Sequence, residues 1–462
     1  MPELSRRSFT LSLCSLPFTS LAEEYKSAPW NEPANVAKVY LASDIVHWPN
    51  TKLDIPREIA EVETRLAEVE RANAHNVRFT GGQVIRKAAD VQPWLARNSD
   101  ADGVLILPVT QPVPGLRELV DALPVPALYY SRPYAGHSWA SIGDMQKAGR
   151  KIDVVATSSY GDLDPYLRAF RTIRHLRKSK VLVGAATASG GRQAQMDAYG
   201  KYFGTGFKLI TGPDFKSAFD AADDKQAQKE ADAFVKAALR VVEPSPKEIR
   251  DGLRFYLALR DMLKREQANA VTIDCFGSLA ANTLPAYPCI AWSKLNDAGL
   301  YGVCEADLAS TMTQMLVTSI TGIPGFVSDP VFDLSRNEVI HAHCVAATKM
   351  KGIDGPASPY IIRNHLETAE GAVLQVLMPS AETITCARFT SPTKLLFSTA
   401  EVTGAVQSES GCRTQIRTRV SDAGKWLRNY TAGLHRVIFY GDHSATVERL
   451  GRLMGFEVMR EI

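Results

Sequence analysis

The chain has 462 residues, too many for one ordinary hydrophobic core, so we expect two or three domains. Hydrophobic residues make up 45% and charged residues 22% of the sequence, a balance typical of a soluble globular protein. The net charge is only +3 and no run of Lys and Arg is long enough to form a basic patch. This argues against nucleic acid or an anionic membrane surface as the partner.

The first residues have the pattern of an export signal. Arg6 and Arg7 form a twin-arginine pair, a mildly apolar stretch covers residues 9–21, and residues 20–22 (S-L-A) resemble a cleavage site. We therefore predict a twin-arginine signal segment at residues 1–22 and export to the periplasm. The alternative is a cytoplasmic chain with a disordered N-terminal tail. The apolar stretch is too short to cross a bilayer, so stable membrane insertion is not expected.

Residues 23–160 alternate short apolar runs with amphipathic helical patterns. The apolar runs include K-V-Y-L-A from Lys38 and D-G-V-L-I-L-P-V from Asp102, and helices are predicted at 57–72 and 84–97. Buried strands separated by helices are the signature of a parallel sheet covered on both faces. We therefore predict a first α/β domain here.

Residues 161–294 repeat this pattern. A helix is predicted at 163–178, followed by the strand K-V-L-V-G-A-A from Lys180 and by two charged helices within 223–264. These elements predict a second parallel-sheet α/β domain. No G-x-G-x-x-G pattern is present, so a dinucleotide site is not expected.

The last third of the chain, residues 295–462, changes to short apolar runs separated by turns. Runs such as A-V-L-Q-V-L and H-R-V-I-F-Y favour a mostly antiparallel β domain. The predicted fold class is therefore α/β, with two consecutive parallel-sheet α/β domains followed by a mostly antiparallel β C-terminal domain.

Carboxylate and imidazole side chains recur at the predicted ends of elements in this last region. Glu305 lies in C-E-A-D, Asp329 in G-I-P-G-F-V-S-D-P, and His341 and His343 in H-A-H-C. Two carboxylates and an imidazole that converge would form a hard site that suits manganese or magnesium. A cation in such a site can polarise a sugar carbonyl.

The cysteines do not contradict this interpretation. None of the six that follow the predicted signal segment forms a C-x-x-C pair, which argues against a zinc ribbon or a disulfide framework. They are Cys275, Cys289, Cys304, Cys344, Cys386 and Cys412.

The order of these motifs resembles the C-terminal half of the L-fucose isomerase and L-arabinose isomerase family. The matching patterns are C-E-x-D, G-x-P-x-F-x-x-D-P, H-C, C-R-T at residues 412–414, and a final H-x-V-x-x-Y-G-D that begins at His435. The resemblance covers roughly residues 295–462. Asp329 is similar to the fucose branch, since the arabinose branch has Glu at this point.

The resemblance implies a metal-dependent enzyme that acts on a small monosaccharide. Glu305, Asp329, His343 and His435 would hold a divalent metal, expected to be Mn²⁺, and Glu305 and Asp329 would also be the catalytic residues. A homo-oligomer, either a trimer or a hexamer, is implied as well. The residues that bind the sugar are not predicted.

Two choices within this set stay open. His341 competes with His343, which is preferred because its H-C pair matches the family. His443 competes with His435 at the end of the chain.

The predicted function is aldose-ketose isomerisation through an enediolate. One alternative is an exported sugar-binding protein, because two α/β domains behind an export signal also describe that class. Another is an enzyme that uses the same metal pocket for a different sugar reaction, such as an epimerase or a lyase.

Overall fold

The computed structural model describes residues 28–185 and 189–462. The predicted signal segment, residues 1–22, lies outside the described residues, so export stays a prediction.

The first sheet has five parallel strands in the order β2-β1-β3-β4-β5. Its elements are β1 (Ala34–Leu41), α1 (Ile55–Ala72), β2 (Val77–Ile85), α2 (Val91–Arg97), β3 (Gly103–Pro108), α3 (Leu116–Ala122), β4 (Ala127–Ser131), α4 (Ile142–Lys147) and β5 (Ile152–Ala156). Successive residues of a strand point to opposite faces. Accordingly, Val36 and Tyr40 bury in one apolar cluster while Ala37 and Val39 bury in another.

One predicted helix in this region is wrong over half of its length. The sequence pattern indicated a helix at 84–97, whereas Val84 and Ile85 are the last residues of β2 and pair with Tyr40 and Leu41 of β1. Pairing beside a buried central strand outweighs the weak helical pattern of a short segment. The helix itself begins only at Val91.

The second sheet has four parallel strands in the order β7-β6-β8-β9. Its elements are α5 (Asp164–Lys178), β6 (Lys180–Gly184), α6 (Gly190–Phe203), β7 (Gly206–Ile210), α7 (Gly212–Ala221), α8 (Asp224–Ala237), α9 (Pro246–Glu266), β8 (Ala270–Ile273), α10 (Cys275–Ala280), α11 (Cys289–Asp297) and β9 (Tyr301–Cys304). Strand β9 belongs to this sheet although it follows residue 294, the predicted end of the second domain. The domain boundaries stay predictions.

The C-terminal region is a barrel-like antiparallel domain. Its elements are α12 (Leu308–Thr321), β10 (Phe326–Asp333), β11 (Glu338–His343), β12 (Tyr360–Arg363), β13 (Val373–Val376), β14 (Glu382–Ser391), β15 (Lys394–Ala405), β16 (Thr414–Arg419), α13 (Ala423–Asn429), β17 (Arg436–Tyr440), α14 (Ser444–Met454) and β18 (Glu457–Arg460). The strand order is β14-β17-β10-β11-β16-β15-β18, and an additional pairing of β14 with β15 closes the barrel. Strands β12 and β13 form a separate hairpin.

The predicted fold class is therefore confirmed: parallel-sheet α/β domains precede an antiparallel β domain. A continuous apolar core runs from one face of the first sheet through the second sheet into the barrel. Within the described ranges, no helix is both long and apolar enough to cross a bilayer.

Candidate metal centre

Glu305 follows directly after β9, in a sharp turn that precedes α12. Glu305 and Ala306 both have positive φ, 63° and 51°, a region that residues with a side chain adopt at some cost in free energy. The backbone N–H of Ala306 donates to the carbonyl of Ile273 at 2.9 Å, which ties the turn to the end of β8. The turn therefore holds the Glu305 carboxylate, whose side chain is 32% exposed, at the carboxyl edge of the second sheet.

Three neighbouring barrel strands bring the other predicted residues to the same place. Ser328 pairs with Arg436 and Asp329 pairs with Ala342. Because β17 and β11 flank β10, this register places His435 and His343 on either side of Asp329. The sequence motifs lie far apart in the chain, and the strand register makes them neighbours.

The side chains converge closely enough to share one metal ion. Nε2 of His343 lies 3.5 Å from Oε1 of Glu305, and Nε2 of His435 lies 3.5 Å from Oε2 of Glu305. Oδ1 of Asp329 lies 3.3 Å from Nε2 of His435. Glu305, His343 and His435 each offer a ligand atom within 4.8 Å of the others, so this cluster can bind a metal ion.

The donor atoms suit a hard divalent cation. Carboxylate oxygens are the ligands that manganese and magnesium prefer, and imidazole nitrogen is a common ligand of transition metals. Nε2 of His343 is buried and has no hydrogen-bond partner among the described residues, and Oδ1 of Asp329 is buried with only the long 3.3 Å contact to His435. Buried polar atoms without partners are costly, and a bound cation and its ligands would satisfy both.

His435 is oriented by Asp307, the N-terminal cap of α12. Nδ1 of His435 donates to Oδ2 of Asp307 at 2.8 Å, and Nη1 of Arg388 donates to the same oxygen at 2.6 Å. A metal-binding histidine usually donates its other ring N–H to a carboxylate in this way, which turns the free nitrogen toward the metal. Asp307 thus acts behind the site rather than inside it.

The electrostatic environment of His435 and Asp307 favours the charged form of both side chains. Burial opposes ionisation of the His435 ring, but its contacts with Asp307 and Asp329 outweigh burial and raise the pKa of His435 to about 10. Burial likewise opposes the Asp307 carboxylate, yet His435 and Arg388 hold the pKa of Asp307 well below its usual range. Without a metal the ring is therefore an imidazolium that supplies positive charge to the cluster, and metal binding must release its Nε2 proton.

His343 has the opposite tautomer from the one that a metal ligand needs. The backbone N–H of Cys344 donates to Nδ1 of His343 at 2.9 Å, so the proton of the neutral ring sits on Nε2. In this state the Nε2–H faces the cluster, with Oε1 of Glu305 3.5 Å away. His343 can coordinate a metal through Nε2 only if it gives up this proton.

The two competing histidines lie elsewhere. Nε2 of His341 contacts Oγ1 of Thr418 at 3.1 Å, and burial lowers the pKa of His341 to about 3. Nε2 of His443 contacts the carbonyl of Tyr440 at 2.8 Å. Neither ring belongs to the cluster formed by Glu305, His343 and His435.

A pocket of about 200 Å³ opens beside the cluster. Aromatic and polar residues line it, among them Phe276, Tyr287, His365 and Glu367. Five cysteines also line it: Cys275, Cys289, Cys304, Cys344 and Cys412. The sequence did not predict this convergence, because the five cysteines lie in different elements and loops and form no local motif.

Within the described part of the chain, the thiols do not form a group of three or more ligand atoms close enough together to hold a metal ion. Sγ of Cys275 lies 3.0 Å from Sγ of Cys304, and this contact and burial raise the pKa of Cys275 well above its ordinary value. Protonated, buried cysteines behave as small apolar side chains. They add apolar surface to a pocket that also contains carboxylates.

These features define a class of protein: an α/β chain with a barrel-like C-terminal domain and a Glu/His/His cluster that can bind a metal ion. Among curated proteins, the chain is similar to the sulfoquinovose isomerase of Clostridium sp. (strain MSTE9), with 30% identity over 113 residues. The match covers 24% of this chain and 25% of that relative, so the chain spans about a quarter of the relative's length. No protein-family model matches the chain.

Proposed function

We propose that this protein is a metal-dependent sugar isomerase that interconverts an aldose and a ketose. The partial similarity to a sulfoquinovose isomerase supports this class of reaction. The observation that carries the proposal is the position of two carboxylates around one imidazole nitrogen: Nε2 of His435 lies 3.5 Å from Glu305 and 3.3 Å from Asp329.

The reaction moves one proton between two adjacent carbons, so it needs a base that removes the proton and an acid that returns it. Glu305 and Asp329 would share these two roles from either side of the sugar. The contact with His435 outweighs burial and lowers the pKa of Asp329, which keeps that carboxylate ionised and able to accept a proton. The Nε2–H of His343 would donate a hydrogen bond to a sugar oxygen.

A divalent metal held by Glu305, Asp329 and His435 would polarise the sugar carbonyl and stabilise negative charge on the adjacent oxygens. The metal expected from the resemblance is manganese. The pocket volume of about 200 Å³ lies below the roughly 300–1,000 Å³ typical of drug-sized ligands, which favours a single monosaccharide.

The type of sugar is the finer part of the proposal. The motif order favours a substrate of the L-fucose or L-arabinose type and Asp329 favours the fucose side, whereas the curated relative is named for sulfoquinovose. All three sugars therefore belong in the first screen.

The test is a screen of purified protein that has been analysed for bound metal. Each sugar is incubated in D₂O with a chelator and then with added manganese or magnesium, and ketose formation and deuterium incorporation are followed by NMR. We expect metal-dependent interconversion with deuterium entering at the carbon that receives the proton, next to the carbon that becomes the new carbonyl. Binding without turnover would point to a sugar-binding protein, and a different product would point to an epimerase or a lyase.

Glu305→Gln is the control variant for this screen. It keeps the volume of the side chain but removes its charge and its ability to accept a proton, so we expect near-complete loss of turnover with the fold retained. Activity within about tenfold of the parent, equal to about 1.4 kcal/mol in the barrier, would remove Glu305 from catalysis.

We also propose that the protein is exported by the twin-arginine route. The supporting pattern is the Arg6-Arg7 pair followed by an apolar stretch. Replacing both residues with Lys should retain the protein in the cytoplasm. Unchanged arrival in the periplasm, measured by cell fractionation, would reject the proposal.

A further inference from the structure

The carboxyl edge of the first sheet is a second place where the topology favours a ligand. All five strands are parallel, but the chain adds β2 on one side of β1 and then adds β3, β4 and β5 on the other side. The connections that follow β1 and β3 therefore lead to opposite sides of the sheet. Ligands of open parallel sheets bind in the crevice that such a reversal creates. The described residues that line the metal pocket all lie between Cys275 and Leu434, so the pocket shares no residue with the first sheet.

Three aromatic rings gather at this edge, and we call them the aromatic edge: Trp48, Tyr134 and His137. The ring centroid of Trp48 lies 6.4 Å from that of Tyr134 and 5.3 Å from that of His137. Trp48 follows β1, whereas Tyr134 and His137 follow β4. Loops from two strands therefore present one continuous group of rings.

Tyr134 is exposed to solvent and has a backbone conformation that is unfavourable for its residue type. It is 73% exposed, and its φ of 67° is unusual for a bulky residue. An exposed aromatic ring and a strained backbone both cost free energy, and such strain concentrates at binding sites. Neither feature contributes to the core of the first sheet.

Polar groups lie beside the rings and hold the two loops together. The backbone of Gln111 accepts from the N–H of His47 at 2.9 Å and donates to the carbonyl of Trp48 at 3.1 Å. The side-chain oxygen of Gln111 accepts from the Oγ of Ser138 at 3.3 Å. Nε1 of Trp48 is buried and donates to no acceptor in the described part of the chain. The edge is therefore preorganised and retains an unused hydrogen-bond donor.

The charges near this edge are paired with each other. Arg86 bonds to Asp44 at 2.5 Å, and Arg132 bonds to Glu58 at 3.3 Å. A strongly charged ligand would have to compete with these ion pairs. Rings interleaved with neutral polar groups instead suit a neutral molecule that has an apolar C–H face and hydroxyl groups at its rim.

We propose that the aromatic edge is a binding site for a neutral saccharide, separate from the metal pocket. The sugar ring packs on Tyr134 and Trp48, and its hydroxyl groups bond to the polar groups around Gln111. This inference goes beyond the proposed isomerase function and does not depend on it.

The test measures saccharide binding while the metal pocket is disabled. The parent background is the full chain with His435→Ala, kept in a chelator, and the probes are radiolabelled L-fucose, L-arabinose, D-glucose and maltose in equilibrium dialysis. We expect about one bound saccharide per chain for at least one probe. Tyr134→Ala should weaken that binding about tenfold, because the sugar loses the exposed ring on which its apolar face packs.

Leu334→Ala is the matched control, because Leu334 is also an exposed apolar residue, 53% exposed, but belongs to the barrel. It should leave saccharide binding unchanged. The proposal is overturned if no probe binds, or if Tyr134→Ala and Leu334→Ala bind equally well. It is also overturned if Tyr134→Ala lowers the mass of the protein in light scattering while no saccharide binds, since the edge would then be a contact between copies of the chain.

Failure here and failure of the proposed function are distinguishable. Binding to the aromatic edge is measured without turnover and without metal. Isomerase activity is measured with metal and is lost with Glu305→Gln whatever the aromatic edge binds.

Discussion

Nδ1 of His435 lies 2.8 Å from Oδ2 of Asp307, and this hydrogen bond joins the start of barrel strand β17 to the N-terminus of helix α12. It decides which ring nitrogen faces Glu305 and Asp329. Asp307 also accepts a hydrogen bond from Arg388, so the carboxylate that orients the histidine is itself held in place. The metal cluster therefore depends on a residue that does not enter it.

Asp307→Asn should weaken metal binding by about 10–100-fold, because the ring loses the carboxylate that orients it. Asn caps a helix about as well as Asp, so α12 should persist. Isothermal titration with manganese gives the Kd of each protein. Ser310→Ala is the control, because Ser310 contacts Asp307 but not His435. Equal Kd values for the parent and Asp307→Asn would contradict this role.

His435→Ala should abolish most of the stabilisation that manganese confers. A ligand that binds only the folded state at 100 times its Kd adds about 2.7 kcal/mol, and a variant with weaker binding gains less. Melting temperatures are measured with chelator and with manganese. His443→Ala, whose ring instead contacts the Tyr440 carbonyl, should shift as much as the parent. If His435→Ala also shifts as much, His435 is not a ligand.

A buried histidine between the first two sheets should make stability depend on pH. Nδ1 of His175 contacts the Trp30 carbonyl at 2.9 Å and Nε2 contacts the Tyr301 hydroxyl at 2.9 Å. Burial, with Arg171 nearby, lowers the pKa of His175 to about 3. The unfolded chain binds a proton below about pH 6.5 and the folded chain does not, so stability is complete above pH 6.5 and is lost as the pH falls toward 3.

At pH 5 the loss from this one group should be about 2 kcal/mol. His175→Gln cannot titrate, so its free energy of unfolding should fall by about 2 kcal/mol less than that of the parent between pH 8 and pH 5. Urea unfolding at both pH values measures the difference. His341 has the same lowered pKa and remains in both proteins, which makes the comparison specific to His175. Parallel losses would refute the assignment.

Cys412 should react slowly with alkylating reagents although it lies on the pocket wall. Burial and the nearby carboxylates raise the pKa of Cys412 from 9.0 to about 12. The thiolate is the reactive form, so its population falls about a thousandfold. Iodoacetamide labelling in chelator, mapped by mass spectrometry, compares the folded and the urea-unfolded chain, with Cys412→Ser as the blank. Rates within tenfold of each other would contradict the shift.

The local patterns in the sequence were sufficient for the class of fold. Apolar runs separated by amphipathic helices predicted the two parallel sheets. The change to short apolar runs separated by turns, in residues 295–462, predicted the antiparallel domain. Elements with a strong period, such as α5, were predicted within a few residues. The prediction of a helix at 84–97 was wrong at its start because Val84 and Ile85 pair with β1. Pairing with a strand that is distant in the sequence cannot be recognised from the neighbouring residues alone.

For the candidate site, motif order singled out Glu305, Asp329, His343 and His435. The turn after β9 and the register of the barrel strands bring all four around one point. Their catalytic roles stay predictions. The sequence could not show the tautomer of His343, the contact of Asp307 with His435, or the five cysteines around one pocket. Residue type and spacing determine which elements form, because those depend on near neighbours. Which side chains meet, and which nitrogen carries the proton, depends on strand register and on donors that are remote in the chain, so only the tertiary structure decides them.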